Sequence, residues 1–397
     1  MFPRLESFRR VMDWLERNVR VLPAEEIPLA ESHRRRLAAG CRAPCDLPSQ
    51  EVAAVDGYAL RAAETSGLDS YHPDFLSLLG TATPWNPFPG ELAPRSAVRV
   101  TEGTPLPRGA DAVAPLILGE EQGKGVNVYG QVVAGENVRR RGADVREGGL
   151  LLEAGAHLRP QDLAIMAGCG LQRVRVVAQP RVRIVILGGG AAGLAAPSGG
   201  FEAISVLLRA CVERSSGKVT EVVRLAEDRE AIRGHLKAPG ADVILLVRSG
   251  SQGGKDLAAE ALAECGELAM LGIALEPARS SGLGRVRESL VFLLPGDLVS
   301  GLCAYDCLVA PALDRLGGGE WGRFRRRTEG VLRRKISSSL GLVEQVWVRV
   351  GEAGIEPLAT GSAGRLGMLL AADGYALVPE ECEGHAAGTR LSVFLYE

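Results

Sequence analysis

The apolar positions of the first twenty residues recur at helical spacing. Leu5, Phe8, Val11, Met12, Leu15 and Val19 share one face of a predicted amphipathic helix over residues 5–20. A second helix is expected over Leu29 to Ala38, opened by Pro28 at a helix start. Pro44 to Pro48 reads as a linker, and beyond it the pattern changes. Short apolar runs, such as Ala97-Val98-Arg99-Val100, Val126-Asn127-Val128-Tyr129 and Gln131-Val132-Val133, are separated by glycine and proline. That texture predicts a small β-rich module over residues 48–138.

Strand, helix and strand follow between Leu150 and Val176. The helix is Pro160 to Cys169, with proline in its first turn and Gly170 as its stop. Val182 to Leu187 is a continuous apolar strand entering Gly188-Gly189-Gly190. After it come a predicted helix (Phe201 to Arg214), strand (Thr220 to Arg224), helix (Asp228 to Lys237), buried strand (Asp242 to Val247) and helix (Asp256 to Cys265). Strands alternating with helices at this spacing predict a parallel, doubly wound α/β domain, running to about Gly319. From about Gly330 the chain is rich in valine, glycine and short strands, which predicts a small β-barrel or sandwich. The expected fold class is therefore multidomain α/β. A discontinuous helix and linker domain takes residues 1–47 and 139–180, the inserted β-rich module 48–138, the α/β domain 181–319 and a β-barrel-like domain 320–397.

Composition narrows the function classes. The chain has 397 residues, 46% hydrophobic and 24% charged, with a formal charge of −2, an ordinary globular balance that does not point to nucleic acid. Arginine clusters at Arg139 to Arg141 and at Arg325 to Arg327. Both read as solvated surface, and the first is the better candidate for binding an anion. No run of about 18 apolar residues suggests a membrane span. The charged start, Met1-Phe2-Pro3-Arg4-Leu5-Glu6, lacks a signal-peptide core, so a cytoplasmic location is expected. Eight cysteines include two CxxxC pairs with no histidine at zinc-ligand spacing, and they read as buried thiols rather than metal ligands.

In an open parallel sheet, ligands bind beyond the carboxyl ends of the strands, where three loops stand out. Gly188-Gly189-Gly190-Ala191-Ala192-Gly193 matches GxGxxG only superficially, with no helix starting promptly behind it. Ser249-Gly250-Ser251-Gln252-Gly253-Gly254-Lys255-Asp256 offers free N–H groups, hydroxyls and a helix start, which together can cradle an anion. Asp256 is equally a good helix N-cap. Leu294-Pro295-Gly296-Asp297-Leu298-Val299-Ser300-Gly301 is either a turn with a cap or a ligand contact.

Two motifs about 45 residues apart are not explained by generic folding needs. They are Val55-Asp56-Gly57-Tyr58-Ala59-Leu60-Arg61 and Glu102-Gly103-Thr104-Pro105-Leu106-Pro107-Arg108-Gly109-Ala110-Asp111-Ala112-Val113. The first sets a carboxylate before a glycine, where the backbone can turn tightly and approach a ligand. The second is a proline-stiffened loop ending on an aspartate. With Gly135-Glu136-Asn137-Val138-Arg139, Arg141-Gly142-Ala143-Asp144-Val145, Ser249-Gly250, Leu294-Pro295-Gly296-Asp297 and the tail Gly361-Ser362 through Val378-Pro379-Glu380, they make the chain resemble the molybdopterin molybdenumtransferase family (the MoeA/gephyrin family) over nearly its whole length.

The resemblance implies an elongated homodimer of four-domain chains, whose site lies between the α/β domain of one chain and the β module of the other. It implies insertion of molybdate into adenylylated molybdopterin with release of AMP, and a divalent ion such as Mg2+. The residues it assigns are Asp56, Asp144 and Asp256 as metal- and water-positioning carboxylates, with Glu227 as a further metal ligand. Ser249, Gly250, Ser251 and Gly253 become the anion cradle, Lys255 and Arg279 anion contacts, and Pro295 and Gly296 part of the cofactor-binding surface. Contact with other cofactor-biosynthesis or acceptor proteins is also implied.

Several positions depart from the family pattern. Its T-G-D-E-L is Leu187-Gly188-Gly189-Gly190-Ala191-Ala192 here, without the carboxylates. Its K-P-G-K-P loop is Glu276-Pro277-Ala278-Arg279-Ser280, and its L-P-G-N-P carries Asp297 and Leu298. An acid in place of a lysine should repel anionic ligands, and nothing nearby in the sequence obviously offsets it. A second reading follows from these losses: a catalytically impaired paralogue that binds a pterin as scaffold or carrier in cofactor delivery. A third is an enzyme on the same scaffold acting on another nucleotide-activated anion.

Overall fold

The computed structural model describes residues 5–188, 199–248, 256–322, 325–359 and 366–396. The chain forms two compact units. One comprises Glu26–His33 and Ala39–Val174, the other Met1–Glu25, Arg34–Ala38 and Arg175–Glu397.

The first unit is organised by a six-stranded sheet. Across it the strands run Ala112–Pro115, Gly57–Leu60, Ser96–Val100, Asp74–Ala82, Gly125–Val128, Gly119–Gln122. Only the pairing of Asp74–Ala82 with Ser96–Val100 is parallel. Successive side chains of a strand point to opposite faces, and here both faces are covered. Tyr58 and Leu60 pack with Leu76, Val126 and Val128, while Ala59 packs with Val98, Val100 and Val113 on the other side. That double burial is why the central strands read as continuous apolar runs. Outside the module, Cys41–Arg42 pairs with Leu150–Leu152 and Leu47 bridges to Val145, so residues on either side of the inserted module come together. The predicted helix near residue 160 is present as Pro160–Gly168.

The helix expected over Leu29 to Ala38 does not form. Only a single 3-10 turn, Leu29–Glu31, is built there. The Ser32 hydroxyl donates back to the Leu29 carbonyl at 2.7 Å and closes the turn, and Arg34 then takes a left-handed conformation at φ 62°. Between Leu29 and Leu37 no apolar stripe exists to be buried, so the proline start signal had nothing to propagate.

In the second unit the first helix spans Phe8–Asn18, with the Ser7 hydroxyl accepting from the Arg10 N–H at 3.3 Å. Val11, Leu15 and Val19 are buried in one cluster with Val182, Ile184, Leu245 and Phe292. The helix is thus part of the α/β core, whereas the sequence pattern groups it with residues 139–180.

The α/β sheet runs Lys218–Leu225, Arg181–Leu187, Val243–Arg248, Ser289–Pro295, Gly282–Val286, Glu267–Leu271. The first four strands are parallel, as expected. Gly282–Val286 pairs antiparallel with both of its neighbours, which corrects the purely parallel expectation. The cause is local. Arg287 and Glu288 turn the chain between Val286 and Ser289, with Arg287 at φ 51°, and so short a connection forces a hairpin. Helices cover both faces. Leu208 and Val212 lie on one side, Ile232, Leu236, Ala258 and Leu262 on the other.

The C-terminal sheet runs Leu275–Glu276, Val343–Gly351, Gly374–Val378, Arg390–Leu395, Arg327–Val331, with Gly354–Ala359 added to Val343–Gly351. Its first strand is lent by the α/β domain. Arg325, expected at the surface, is buried and ion-paired with Asp306, which is itself fully buried and also holds Arg214 at 3.0 Å. None of the eight cysteines is disulfide-bonded. Cys169, Cys211, Cys303 and Cys307 are buried, and Cys41, Cys45, Cys265 and Cys382 half-buried. Among the described residues no helix is long and apolar enough to cross a membrane.

Candidate functional site

The two unexplained motifs meet in the β module. Asp56 stands exposed just before the strand Gly57–Leu60, and its Oδ1 accepts the Glu102 N–H at 2.8 Å. Around that bond the backbones interlock. The Gly103 N–H donates to the Ala53 carbonyl at 2.8 Å, the Ala53 N–H to Thr104 at 2.9 Å, and the Leu106 N–H to Glu51 at 2.9 Å. Asp111 closes the other end, its Oδ1 accepting the Ala62 N–H at 2.7 Å. A third motif joins in. Asn137, at φ 56°, donates its side-chain amide to the Val113 carbonyl at 2.9 Å and accepts the Ala54 N–H at 2.8 Å. The result is a rigid loop cluster that holds one oxygen of Asp56. Among the described residues its other oxygen has no hydrogen-bond partner.

Gly57 does not serve ligand approach, as its place after Asp56 suggested. A Cβ there would lie 2.1 Å from the Ala114 carbonyl oxygen and 2.9 Å from Val113 Cγ1. The glycine lets two strands close on each other and so sets where Asp56 emerges.

Asp144 is exposed, with Arg139 Nη2 3.7 Å from its Oδ2. Arg141 bonds Asp46 at 2.6 Å, and Asp46 also accepts the Glu147 N–H at 2.8 Å. These bonds, the backbone one foremost, hold the Asp46 carboxyl below the usual carboxylate range. Two of the three arginines proposed as anion contacts are therefore engaged by carboxylates of their own unit.

The carboxyl edge of the α/β sheet differs. Ser249, Gly250, Ser251, Gly253 and Lys255, the expected cradle, lie outside the described residues, as does most of the glycine run after Gly188. The two ends of the cradle loop are described. Asp256 caps the helix Leu257–Cys265, its Oδ1 accepting the Ala259 N–H at 3.1 Å. Its Oδ2 is ion-paired with Arg248, whose other terminal nitrogen donates to the Ser280 carbonyl. Burial pulls the Arg248 guanidinium below its ordinary pKa, and Asp256 opposes that shift. Both oxygens of Asp256 are committed, so it is a cap and ion-pair partner rather than a carboxylate open to water or metal.

Pro295 is buried at the end of its strand and Gly296 is exposed. Asp297 caps the following helix, accepting the Ser300 N–H at 2.8 Å. Glu276, the acid in place of a lysine, is ion-paired with Arg279. The offsetting charge that the sequence did not reveal lies three residues away. Glu227 is exposed beyond the strand Lys218–Leu225.

Among the described residues no three His, Cys, Asp or Glu side chains are grouped to hold a metal ion. Asp56 and Asp144 belong to one unit and Glu227 to the other, so neither unit alone gathers all three. Sequence reasoning missed Arg248 and the role of Asn137. A lone arginine ending the apolar run Val243 to Val247 was the available signal for the first, and an asparagine behind Gly135 the signal for the second.

The chain matches models of known families along most of its length. Residues 6–170 match the MoeA N-terminal region (domain I and II), residues 202–315 a "Probable molybdopterin binding domain", and residues 329–396 the MoeA C-terminal region (domain IV). Molybdopterin molybdenumtransferase 1 of Mycobacterium tuberculosis is 30% identical over 308 residues, covering 70% of this chain and 71% of its own. Molybdopterin molybdenumtransferase 2 of the same organism is 27% identical, covering 93% of this chain and 94% of its own. The crystal structure of a molybdopterin biosynthesis MoeA protein from Pyrococcus horikoshii OT3 superposes with a TM-score of 0.75 at 26% identity, covering 99% of this chain and 100% of that one. Sequence motifs, domain content and fold agree, and the chain belongs to the molybdopterin molybdenumtransferase family.

Proposed function

We propose that this protein works in molybdenum cofactor biosynthesis as a molybdopterin molybdenumtransferase, inserting molybdate into adenylylated molybdopterin and releasing AMP. The observation that carries the reading is Asp56, exposed on a loop cluster built by three family motifs, with one oxygen anchored by the Glu102 N–H. An anchored carboxylate with a second oxygen available can orient water toward the phosphoanhydride at little reorganisation cost.

Mg2+ is usually held by one or two carboxylates together with substrate phosphates, not by an all-protein cage. The exposed carboxylates of Asp56 and Asp144 fit that minimal set, and Glu227 is a third candidate. The ion would supply charge neutralisation at the phosphates. Ser249, Gly250, Ser251, Gly253 and Lys255 are assigned to cradle anionic groups, and Arg279, Pro295 and Gly296 to further contacts with the substrate. Asp256 takes a positioning role, tying the end of the cradle to Arg248 and through it to Ser280. The pairing of Glu276 with Arg279 balances the acid, one of the several departures that motivated the scaffold reading.

The working protein is further proposed to be a cytoplasmic homodimer, with contacts to other cofactor-biosynthesis or acceptor proteins. The test is AMP release from adenylylated molybdopterin with and without molybdate, at set Mg2+ concentrations. Release that depends on molybdate is the expected outcome. Tight binding of the adenylate without release would replace the enzyme reading with the scaffold one.

A further inference from the structure

Beside the Asp56 loop cluster, the β module displays a tryptophan that packs on nothing. Trp85 is 93% exposed. Of the four tryptophans, Trp347 is buried and Trp14 and Trp321 are half-buried. Trp85 sits on a tight turn in which Thr83 and Asn86 exchange both backbone hydrogen bonds, at 3.0 and 3.1 Å, and the Thr83 hydroxyl also accepts the Asn86 N–H at 3.1 Å. The indole is thus held out by a braced hairpin tip.

The turn leans on the motif loop. A Cβ built on Gly103 would lie 3.6 Å from Pro84 Cγ, and Gly103 follows Glu102, whose N–H holds Asp56. A second exposed apolar residue follows a segment bonded to the same motif. The Leu116 N–H donates to the Asp56 carbonyl at 3.3 Å, and the next residue, Ile117, is 90% exposed. Scattered exposed apolar residues need no explanation. Two large ones on segments that both adjoin the loop cluster of one anchored carboxylate do, because that is the composition of a ligand site: apolar faces around a few placed polar groups.

We infer that Trp85 is a stacking platform for the pterin ring of the substrate, an assignment that rests on the function proposed above. The chemistry of the rim selects this occupant. Glu102, next to the Gly103 that faces Pro84 of the turn, is exposed and without a side-chain partner among the described residues. An ionised carboxylate accepts hydrogen bonds only. A pterin presents adjacent amine and ring N–H donors along one edge and a flat π-face, so it can meet both Glu102 and the indole.

The test measures equilibrium binding of three probes, adenylylated molybdopterin, AMP and neopterin, to the full chain and its variants. Trp85→Ala should weaken the adenylate and neopterin about tenfold, within the range for ring stacking on an aromatic side chain, and leave AMP unchanged. Trp85→Phe should recover most of the loss. Tyr71→Ala removes a comparably exposed ring, 88% exposed, elsewhere in the module and should change nothing. Equal weakening of AMP would assign the platform to adenine and overturn the inference. So would unaltered binding by Trp85→Ala, or a loss of dimer in sedimentation that accounts for the weakening. If the unsubstituted chain binds and turns over the adenylate while Trp85→Ala matches it, only this inference falls. If the unsubstituted chain binds no adenylate, the function reading falls and this one with it.

Discussion

Asp56 and Asp256 are the same side chain in opposite circumstances. Asp56 emerges from the β module at the surface, with one oxygen anchored by a backbone N–H and the other open among the described residues. Asp256 stands at the carboxyl edge of the α/β sheet with one oxygen capping a helix and the other held by Arg248. The first region is a rigid frame around an available group. The second spends its carboxylate on holding loops together. A motif aspartate is therefore not by itself a catalytic one; what decides is how many of its acceptor sites the fold has already used.

The sharpest attempt to break this contrast is Asp56→Asn. Asparagine keeps an oxygen to accept the Glu102 N–H, so the loop cluster should survive, while the charge that orients water or metal is lost. AMP release should fall by about two to four orders of magnitude, with the thermal midpoint nearly unmoved. Unchanged turnover would remove Asp56 from the chemistry altogether.

Asp256→Ala should behave in the reverse way. It deletes a helix cap and leaves Arg248 buried without its partner, both side chains being under a fifth exposed. Breaking such a pair costs about 3 kcal/mol of stability, to which the lost cap adds. Chemical denaturation should show that loss, and AMP release per folded molecule should fall less than in Asp56→Asn. A variant as stable as the parent but inactive would mean that the carboxylate acts in the reaction after all.

How much of this was legible in the sequence depended on range. The parallel strands and helices of the α/β domain followed from apolar runs and caps, since Val182 to Leu187 and Asp228 carry their own signals within a few residues. The motif loops were legible too, as locally improbable strings. Contacts across a loop were not. Arg248 reaches Asp256 eight residues on and Ser280 thirty-two residues on, and no periodicity links those positions. The reason for Gly57 was equally hidden, because the carbonyl it makes room for belongs to Ala114 on a neighbouring strand. The false helix after Pro28 failed for the converse reason, a local signal with no buried face behind it.

Gly57→Ala separates frame from chemistry within the first region. The added methyl would sit 2.1 Å from the Ala114 oxygen, and neither strand can yield without opening the sheet. Overpacking of this kind costs about 2 kcal/mol, read as an earlier denaturation midpoint with an unchanged slope. If Gly57→Ala is as stable as the parent, the glycine is not there for strand packing and the ligand-approach reading returns.

The smallest effect belongs to the second region and bears on its charge. Glu276→Lys restores a cation where the family has one, and frees Arg279, which is half-exposed and so gains little stability from the pair. Two cations in place of a neutral pair should draw a dianion closer. At an effective dielectric typical of a partly exposed site, with salt screening, the gain is roughly 1 kcal/mol, or about a fivefold lower KM for molybdate. The effect should shrink as ionic strength rises, because the added attraction is Coulombic. A KM that stays put at both low and high salt would mean that the Glu276 to Arg279 segment does not face molybdate. In that case the ion pair belongs, like the pairing of Asp256 with Arg248, to the architecture of the sheet edge, and the chemistry lies wholly with the carboxylate held out by the β module.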